Sequence, residues 1–421
     1  MALEHWLTLG GTELVNTARV ERYVDALCIT SLSCGVCEDF VRGLRDEPYT
    51  DPGTDRAPWF DPAVPESALF AGLMGISVEG LERGTGGRNR VELVGDGAAV
   101  GGLRRRSREL LVKARMYAKT EAALSYGNAW LESALGGAVC QGSCTGDELC
   151  FFAYCPVCPQ PPMPGDTCGD DAVRTLFDVG LLDGPDMTRK GRLGDGWLAD
   201  VQFSLVAGRP HMWRLPRYIT GTGHPGLQPA PPIGPPVDCV EDQDCAVDPD
   251  CPQPPPPIRP PAPPNPCFPG PPPANDTYRR IATVPANVLP EQLSKVPLLE
   301  LRTGDLNLRR VTVRFYANPA QYACTEYVDP CSACAEINIP YLPRGVVLRL
   351  DGRTERVTVD CPGGPGLVVA EVEVYGPEGD FFEWPVFECD TSLCVEIVAQ
   401  QSTVAPNMRL DLWMVARQGV A

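Results

Sequence analysis

Nineteen cysteines are the residues of this chain best equipped for chemistry, and they fall in groups: Cys28, Cys34 and Cys37; Cys140, Cys144, Cys150, Cys155, Cys158 and Cys168; Cys239, Cys245, Cys251 and Cys267; Cys324, Cys331, Cys334 and Cys361; Cys389 and Cys394. Three C-x-x-C pairs occur, at Cys34/Cys37, Cys155/Cys158 and Cys331/Cys334. Two such pairs brought together supply four thiolates for a tetrahedral zinc, and Cys324, Cys331, Cys334 and Cys361 are a set that could do so. Disulfides are the preferred reading. The groups lie in Pro/Gly-rich loops with little else to hold their shape, and a bridge typically stabilises by about 2 to 4 kcal/mol. No C-x-x-C opens a helix after a strand, which argues against thioredoxin-type exchange. All 19 are therefore candidate disulfide cysteines, with one thiol left over unless chains cross-link.

Other catalytic chemistry is poorly provided for. Only His5, His211 and His224 exist, none in a nucleophile–base signature, and a turn position suits His211 after Gly208-Arg209-Pro210. Asp238, Glu241, Asp242, Asp244, Asp248 and Asp250 crowd one loop, but their spacing is not that of an EF-hand and reads as a solvated acidic loop. Nothing selects a pair of glycosidase carboxylates from the 54 acids. Gly84-Thr85-Gly86-Gly87-Arg88 and Gly95-Asp96-Gly97 read as hairpin turns, since neither carries the trailing Lys-Ser/Thr of a phosphate loop. Tyr375, Phe381, Phe382, Trp384 and Trp413 would stack on a sugar if they shared an exposed face, and otherwise pack a core. No catalytic residue, cofactor or metal site is expected.

The 421 residues carry a formal charge of −18, which repels nucleic acid and anionic lipid. No apolar run is long enough to span a bilayer. Met1 to Gly10 lacks a basic start and a cleavable apolar stretch, so no secretion signal is expected. Cysteine abundance without such a signal suggests a protein exposed to oxidising conditions only after release from the cell. Between Pro225 and Pro273 lie 21 of the 46 prolines, which fix φ, remove donors and favour an extended spacer.

That tract separates two bodies: residues 1–217 with a cysteine-rich loop at 140–168, a linker at 218–276, and residues 277–421. In the first, Trp6 to Cys28 reads as short β-patterned pieces with a hairpin turning at Gly10-Gly11, and Cys28, Cys34 and Cys37 follow in a loop. Tyr49 to Pro65 reads as a long loop available to a neighbouring subunit. Leu110, Val112, Ala114 and Met116 share one face of a strand whose other face carries Lys113 and Arg115. Thr120 stands as N-cap to a helix with Ala123, Gly127, Trp130, Leu131, Ala134 and Leu135 on its buried stripe, stopped by Gly136-Gly137. Strand patterning returns at 173–182 and 199–207. The second body reads as about nine short strands without a helix, including 311–315, 337–342, 346–350, 356–359, 367–375, 381–387, 395–399 and 409–415, with Asp351-Gly352 marking a hairpin. The fold class is mainly β: an N-terminal β-sandwich with one α-helix, and a C-terminal sandwich or jelly roll.

Several segments resemble minor tail proteins of tailed phages that infect actinobacteria. They are Leu7-Thr8-Leu9-Gly10-Gly11-Thr12-Glu13-Leu14-Val15-Asn16-Thr17-Ala18-Arg19, Ala57-Pro58-Trp59-Phe60-Asp61-Pro62, Ser107-Arg108-Glu109-Leu110 and Tyr126-Gly127-Asn128-Ala129-Trp130-Leu131. In the second half, Val311-Thr312-Val313-Arg314-Phe315-Tyr316-Ala317-Asn318-Pro319, Ile339-Pro340-Tyr341-Leu342-Pro343 and Leu350-Asp351-Gly352 look like the C-terminal sandwich of the same group. Such proteins are similar to distal tail proteins of long non-contractile tails. The resemblance implies a homohexameric ring that continues the tail tube, a galectin-like C-terminal sandwich projecting outward, and a structural, non-enzymatic role in baseplate assembly or host attachment. It further implies a place at the virion tail tip beside the tail tube and tape measure proteins, with host wall glycan as a further partner, and without nucleic-acid binding or membrane insertion. The cysteine groups and the proline tract depart from that pattern.

Overall fold

The computed structural model describes residues 4–32, 36–37, 39–44, 49–82, 86–92, 96–136, 146–158, 168–223, 228–229, 277–285, 294–317, 324, 333–360, 367–369, 374–376, 383–387 and 392–418. The protein is mainly β, built as sandwiches with few helices. The chain divides into two compact units, residues 1–215 with 416–421, and residues 216–415.

The first unit contains β1 (Trp6–Leu9), β2 (Thr12–Asn16), α1 (Thr17–Ala26), α2 (Phe40–Leu44), β3 (Phe70–Glu79), β4 (Gly86–Glu92), β5 (Ala98–Arg105), β6 (Arg108–Ala118), α3 (Glu121–Gly136), β7 (Asp147–Phe152), β8 (Val173–Leu193), β9 (Gly196–Ala207) and β10 (Met212–Trp213). Gly10 and Gly11 take φ of 57° and 79°, the left-handed pair that a two-residue turn between β1 and β2 requires. One antiparallel layer runs β2-β1-β7-β8-β10 and the other β3-β6-β9-β8. Strand β8 serves both: it pairs with β7 from Val173 to Val179, then with β9 from Val179 to Leu193. Leu110, Val112, Ala114 and Met116 are buried along β6 and meet Leu7, Phe151 and Leu176 of the other layer in one core.

Helix α3 closes one side of that core, with Thr120 Oγ1 accepting from the Ala123 N–H at 3.1 Å as its cap. Gly127 lies so close to Phe70 that a Cβ would sit 2.3 Å from the ring, which is why the smallest residue stands there. Helix α1 occupies residues read from sequence as part of a β-patterned stretch. The Asn16 side chain accepts from Arg19 N at 3.0 Å, and Val20, Tyr23 and Val24 bury at helical spacing. The β-branched content of this stretch masked that period, so tertiary burial decided against local propensity.

The long loop at 49–65 turns inward. Ala57 and Trp59 are buried, Trp59 Nε1 donates to Phe70 O at 2.9 Å, and Tyr126 Oη donates to Trp59 O at 2.6 Å. Trp59 also meets Trp130 edge to face at 5.5 Å. These residues seal the unit's own core; the expectation that the segment reaches outward is corrected for them.

The second unit contains β11 (Arg217–Gly223), β12 (Gln228–Pro229), β13 (Thr277–Val284), β14 (Ser294–Arg302), β15 (Leu308–Ala317), β16 (Ala335–Leu342), β17 (Val347–Asp351), β18 (Arg356–Asp360), β19 (Leu367–Val369), β20 (Leu393–Gln400) and β21 (Arg409–Gln418), whose last residues belong to the first unit. Two sheets run β12-β13-β20-β15-β16 and β19-β18-β17-β14-β21-β11. Val311, Val313, Phe315, Val395 and Ile397 are buried on the first sheet, and Leu299, Leu301, Leu348, Leu350, Leu410 and Leu412 on the second. This is the alternation a sandwich needs. Among the described residues the unit holds no α-helix.

Residues 218–229, expected at the head of the linker, instead hold most of β11 and all of β12, which pair with β21 and β13. Prolines thicken only from Pro225, so Arg217–Gly223 keeps its donors, and Pro229 sits on an edge strand where a missing donor is tolerated. The rest of the proline tract lies outside the described residues. Among the described residues of the strands expected at 367–375 and 381–387, Leu367–Val369 forms a strand, and Tyr375 and Phe387 make single bridges to Asn338 and Lys295.

Candidate functional site

Among the described residues, six cysteines are joined in three disulfides: Cys37–Cys155, Cys158–Cys168 and Cys324–Cys394, with Cα separations of 6.1, 5.0 and 5.5 Å that suit a bridge. The first two fasten the segment before α2 and the loop after β7 around Phe40, Phe152 and Ala172. Cys155 and Cys158 bond to different partners, so this C-x-x-C is a branch point between two loops. Cys324 is tied to Cys394 in the second unit, which removes it from the four-thiolate set considered above.

Cys28, Cys150 and Cys334 carry free thiols, a correction to their place among the bridge candidates. Cys150 is paired in register with Thr175 across β7 and β8, and burial first, then Glu148, pushes its thiol up to about 11, far from a reactive thiolate. Cys34, Cys140, Cys144, Cys239, Cys245, Cys251, Cys267, Cys331, Cys361 and Cys389 lie outside the described residues, as do the acids at 238–250.

His5 Nδ1 meets Thr17 Oγ1 at 3.2 Å and its ring stands edge to face with Phe40 at 5.9 Å, a packing role at the start of α1. His224 lies outside the described residues. His211 precedes β10 and faces Trp213. Among the described residues no three His, Cys, Asp or Glu side chains converge to hold a metal ion.

Buried carboxylates are spent on cations. Glu396, 3% exposed on β20, accepts from Tyr316 Oη at 2.6 Å and from Arg279 and Arg314. Burial, then the Glu396 hydrogen bond, pushes the Tyr316 phenol up. Glu300 on β14 takes Arg302 at 2.5 Å and Arg349 at 2.8 Å; burial opposes its ionisation, but those two guanidinium groups win and hold the carboxyl below its usual range. These are neutralised ion pairs within sheets.

Of the aromatic residues singled out for sugar stacking, Tyr375, Trp384 and Trp413 lie among the described residues. Trp413 packs edge to face with Tyr218 at 5.6 Å, Trp384 and Tyr375 are half-buried elsewhere on the chain, and Phe381 and Phe382 fall outside the described residues.

Two features of the first unit were not legible as such. A cleft of about 610 Å³ is lined by Trp6, Thr12, Glu13, Arg19, Phe152 and Asp170. Within it Arg19 Nε lies 2.9 Å from Glu13 and the guanidinium 4.7 Å from the Tyr49 ring. The other is a two-stranded arm: β4 and β5 pair with each other and with no other described strand. Val91 and Val100 are 66% and 61% exposed on it, and Arg88, Arg90, Arg104 and Arg105 punctuate it. Gly95-Asp96-Gly97, read from sequence as a hairpin turn, lies between these two strands, whereas Gly86-Gly87-Arg88, also read as turn, belong to β4.

No family model matches this chain, and no curated protein matches it. Among solved structures, it is similar to the SPP1 Dit protein, described as a paradigm of the hub adsorption apparatus in phages infecting Gram-positive bacteria, with 10% identity over 83% of this chain and 94% of that one, at a TM-score of 0.36. It is also similar to chains of the phage P2 baseplate in its activated conformation with calcium and with strontium, each at 9% identity over 79% of this chain and 92% of the other, with a TM-score of 0.36. Superpositions this loose leave the function to be read from the chain's own residues.

Proposed function

We propose that the protein is a structural, non-enzymatic component of a phage tail tip, of the distal tail kind. In this reading the first unit self-associates into a ring that continues the tail tube. The second unit makes outward contacts for baseplate assembly or host attachment. Its partners are further copies of itself and the neighbouring tail tube and tape measure proteins, and it acts in the virion after assembly in the host cytoplasm.

The observation that carries the reading is the arm formed by β4 and β5. A hairpin without a third strand or a covering helix is marginal in water. This one nonetheless projects exposed Val91 and Val100 from a unit that already has a complete core. A partner surface on another subunit would cover it, and a ring contact is heterologous, so the arm would meet a surface different from itself. The tail-protein resemblance of the flanking segments at 57–62 and 107–110 supports the same conclusion.

The test is mass measurement by light scattering, with particle imaging, on the full chain and on a variant in which residues 87–104 are replaced by a short Gly/Ser turn. The full chain should give closed rings and the variant folded single subunits. Full-length protein that remains single at every concentration would sink the proposal.

A further inference from the structure

Helix α2 is held to the first unit by little of its own making. Five residues are too few to persist as a helix without support from the rest of the fold. Its anchor is one side chain: Phe40, fully buried, meets Phe152 edge to face at 5.7 Å and His5 at 5.9 Å, with Ala18 and Ala172 in the same cluster. Asp39, just before the helix, accepts the Cys158 N–H on Oδ2 at 2.9 Å. The surface that receives the helix is shaped by two bridges. A Cβ on Gly43 would sit 2.8 Å from Cγ of Pro156, which lies between Cys155 and Cys158, and one on Gly169, just after Cys168, would sit 2.9 Å from Cα of Gly43. The bridges differ in access: Cys158 and Cys168 are 6% and 7% exposed, whereas Cys37 and Cys155 are half-buried. They also differ in reach. Cys158–Cys168 joins positions 10 apart in sequence, and Cys37–Cys155 joins positions 118 apart.

We propose that Cys37–Cys155 is a redox latch that docks helix α2, with Cys158–Cys168 the shielded part of its seat. An accessible bridge yields to a small thiol before a buried one, because the attacking thiolate must reach a sulfur. Opening takes two electrons and two protons from a dithiol: one thiolate attacks a bridge sulfur, the second resolves the mixed disulfide, and the protein keeps two thiols while the reductant becomes a disulfide. Closing runs the other way, with a small-molecule disulfide as oxidant that leaves as two thiols. With the latch open, the long connection no longer limits where α2 can go, and one buried ring must offset the ordering of the segment almost by itself. The cleft feels this directly. Gly43 and Leu44 form one part of its lining and Phe152, Asp170 and Val173 another, so undocking removes a wall and bares Phe152. A chain made in a reducing compartment would carry the helix loose and fasten it on oxidation. The device stands whether or not the chain forms rings.

The experiment exposes the oxidised full chain to increasing dithiothreitol, blocks thiols with N-ethylmaleimide, and reads peptide masses and hydrogen exchange. Cys37 and Cys155 should be labelled at about tenfold less reductant than Cys158 and Cys168, and amide exchange at 39–44 should quicken by about tenfold or more in the same step, while β6 and β9 stay protected. Oxidised glutathione should then slow it again. Other bridges also meet the reductant, so a Cys37→Ser, Cys155→Ser double variant measured without reductant isolates the latch: exchange at 39–44 should match that of the natural protein with the latch open. Protection at 39–44 that survives in this variant, or in natural protein labelled at Cys37 and Cys155, would overturn the proposal, as would earlier opening of Cys158–Cys168. Should the variant fail to fold, the reductant series on the natural protein decides alone.

Discussion

A neutral imidazole at position 211 ties the first unit's stability to pH. Arg105 of β5, Arg108 of β6 and Arg417 of β21 face it, with Arg214 and the Arg209–Asp178 pair close by in the same segment, and burial and those cations push its pKa from 6.5 down to about 4. Between those two values the unfolded chain binds a proton that the folded chain refuses. Stability from this residue is therefore complete above about pH 6.5 and is lost as pH falls toward 4. In urea titrations, His211→Gln should flatten that part of the pH profile relative to the natural protein. An equally steep fall in both would show that another group is responsible. No sequence feature announced this behaviour: His211 read as a turn residue, and its surroundings come from strands about 100 residues before it and about 200 after it.

Helix α3 shows what element-level reading captures and where it stops. Thr120 as cap and the 3.6-residue recurrence of Ala123, Gly127, Leu131 and Leu135 placed the helix, because cap and period point to the same register. Gly127 lay on the stripe, but its reason became visible only with Phe70 against it, itself wedged by Trp59 and Trp130. Alanine at that position would add about 1 kcal/mol of helix propensity, yet its Cβ must displace a ring packed from three sides. Gly127→Ala should therefore destabilise by about 1 to 3 kcal/mol in denaturant unfolding. A gain in stability would mean that Phe70 has room to move. Strands followed the same logic. β6, β9 and β15 were legible because one face is buried and one is wet, whereas β14, with Lys295 and Glu300 on buried positions, hid its period. Helix α1 escaped for the opposite reason, its burial pattern being carried by residues that favour strands.

Charge is distributed across the whole molecule in a way that bears on assembly. The chain as a whole is strongly negative, yet the stretch from Gly86 to Arg106 carries Arg88, Arg90, Arg104, Arg105 and Arg106 against Glu92 and Asp96 alone. Its strands are open to solvent along nearly all their length. Two copies repel on average, and the arm is where one copy offers the opposite sign to the acidic remainder of another. Such attraction sets orientation and association rate more than total affinity, and it is screened within about 10 Å at 0.1 M salt. Self-association of the full chain should accordingly weaken as salt rises from about 0.05 to about 0.5 M, chiefly through slower association. Substituting Arg88, Arg90 and Arg104 by glutamine should remove most of that dependence without altering either unit's fold. Association that strengthens with salt would instead assign the contact to Val91 and Val100, because burial of apolar surface is favoured, not screened, by salting-out ions. The sign of the salt effect thus separates a charged arm from a greasy one, and measuring association rates across that range by stopped-flow scattering decides between them.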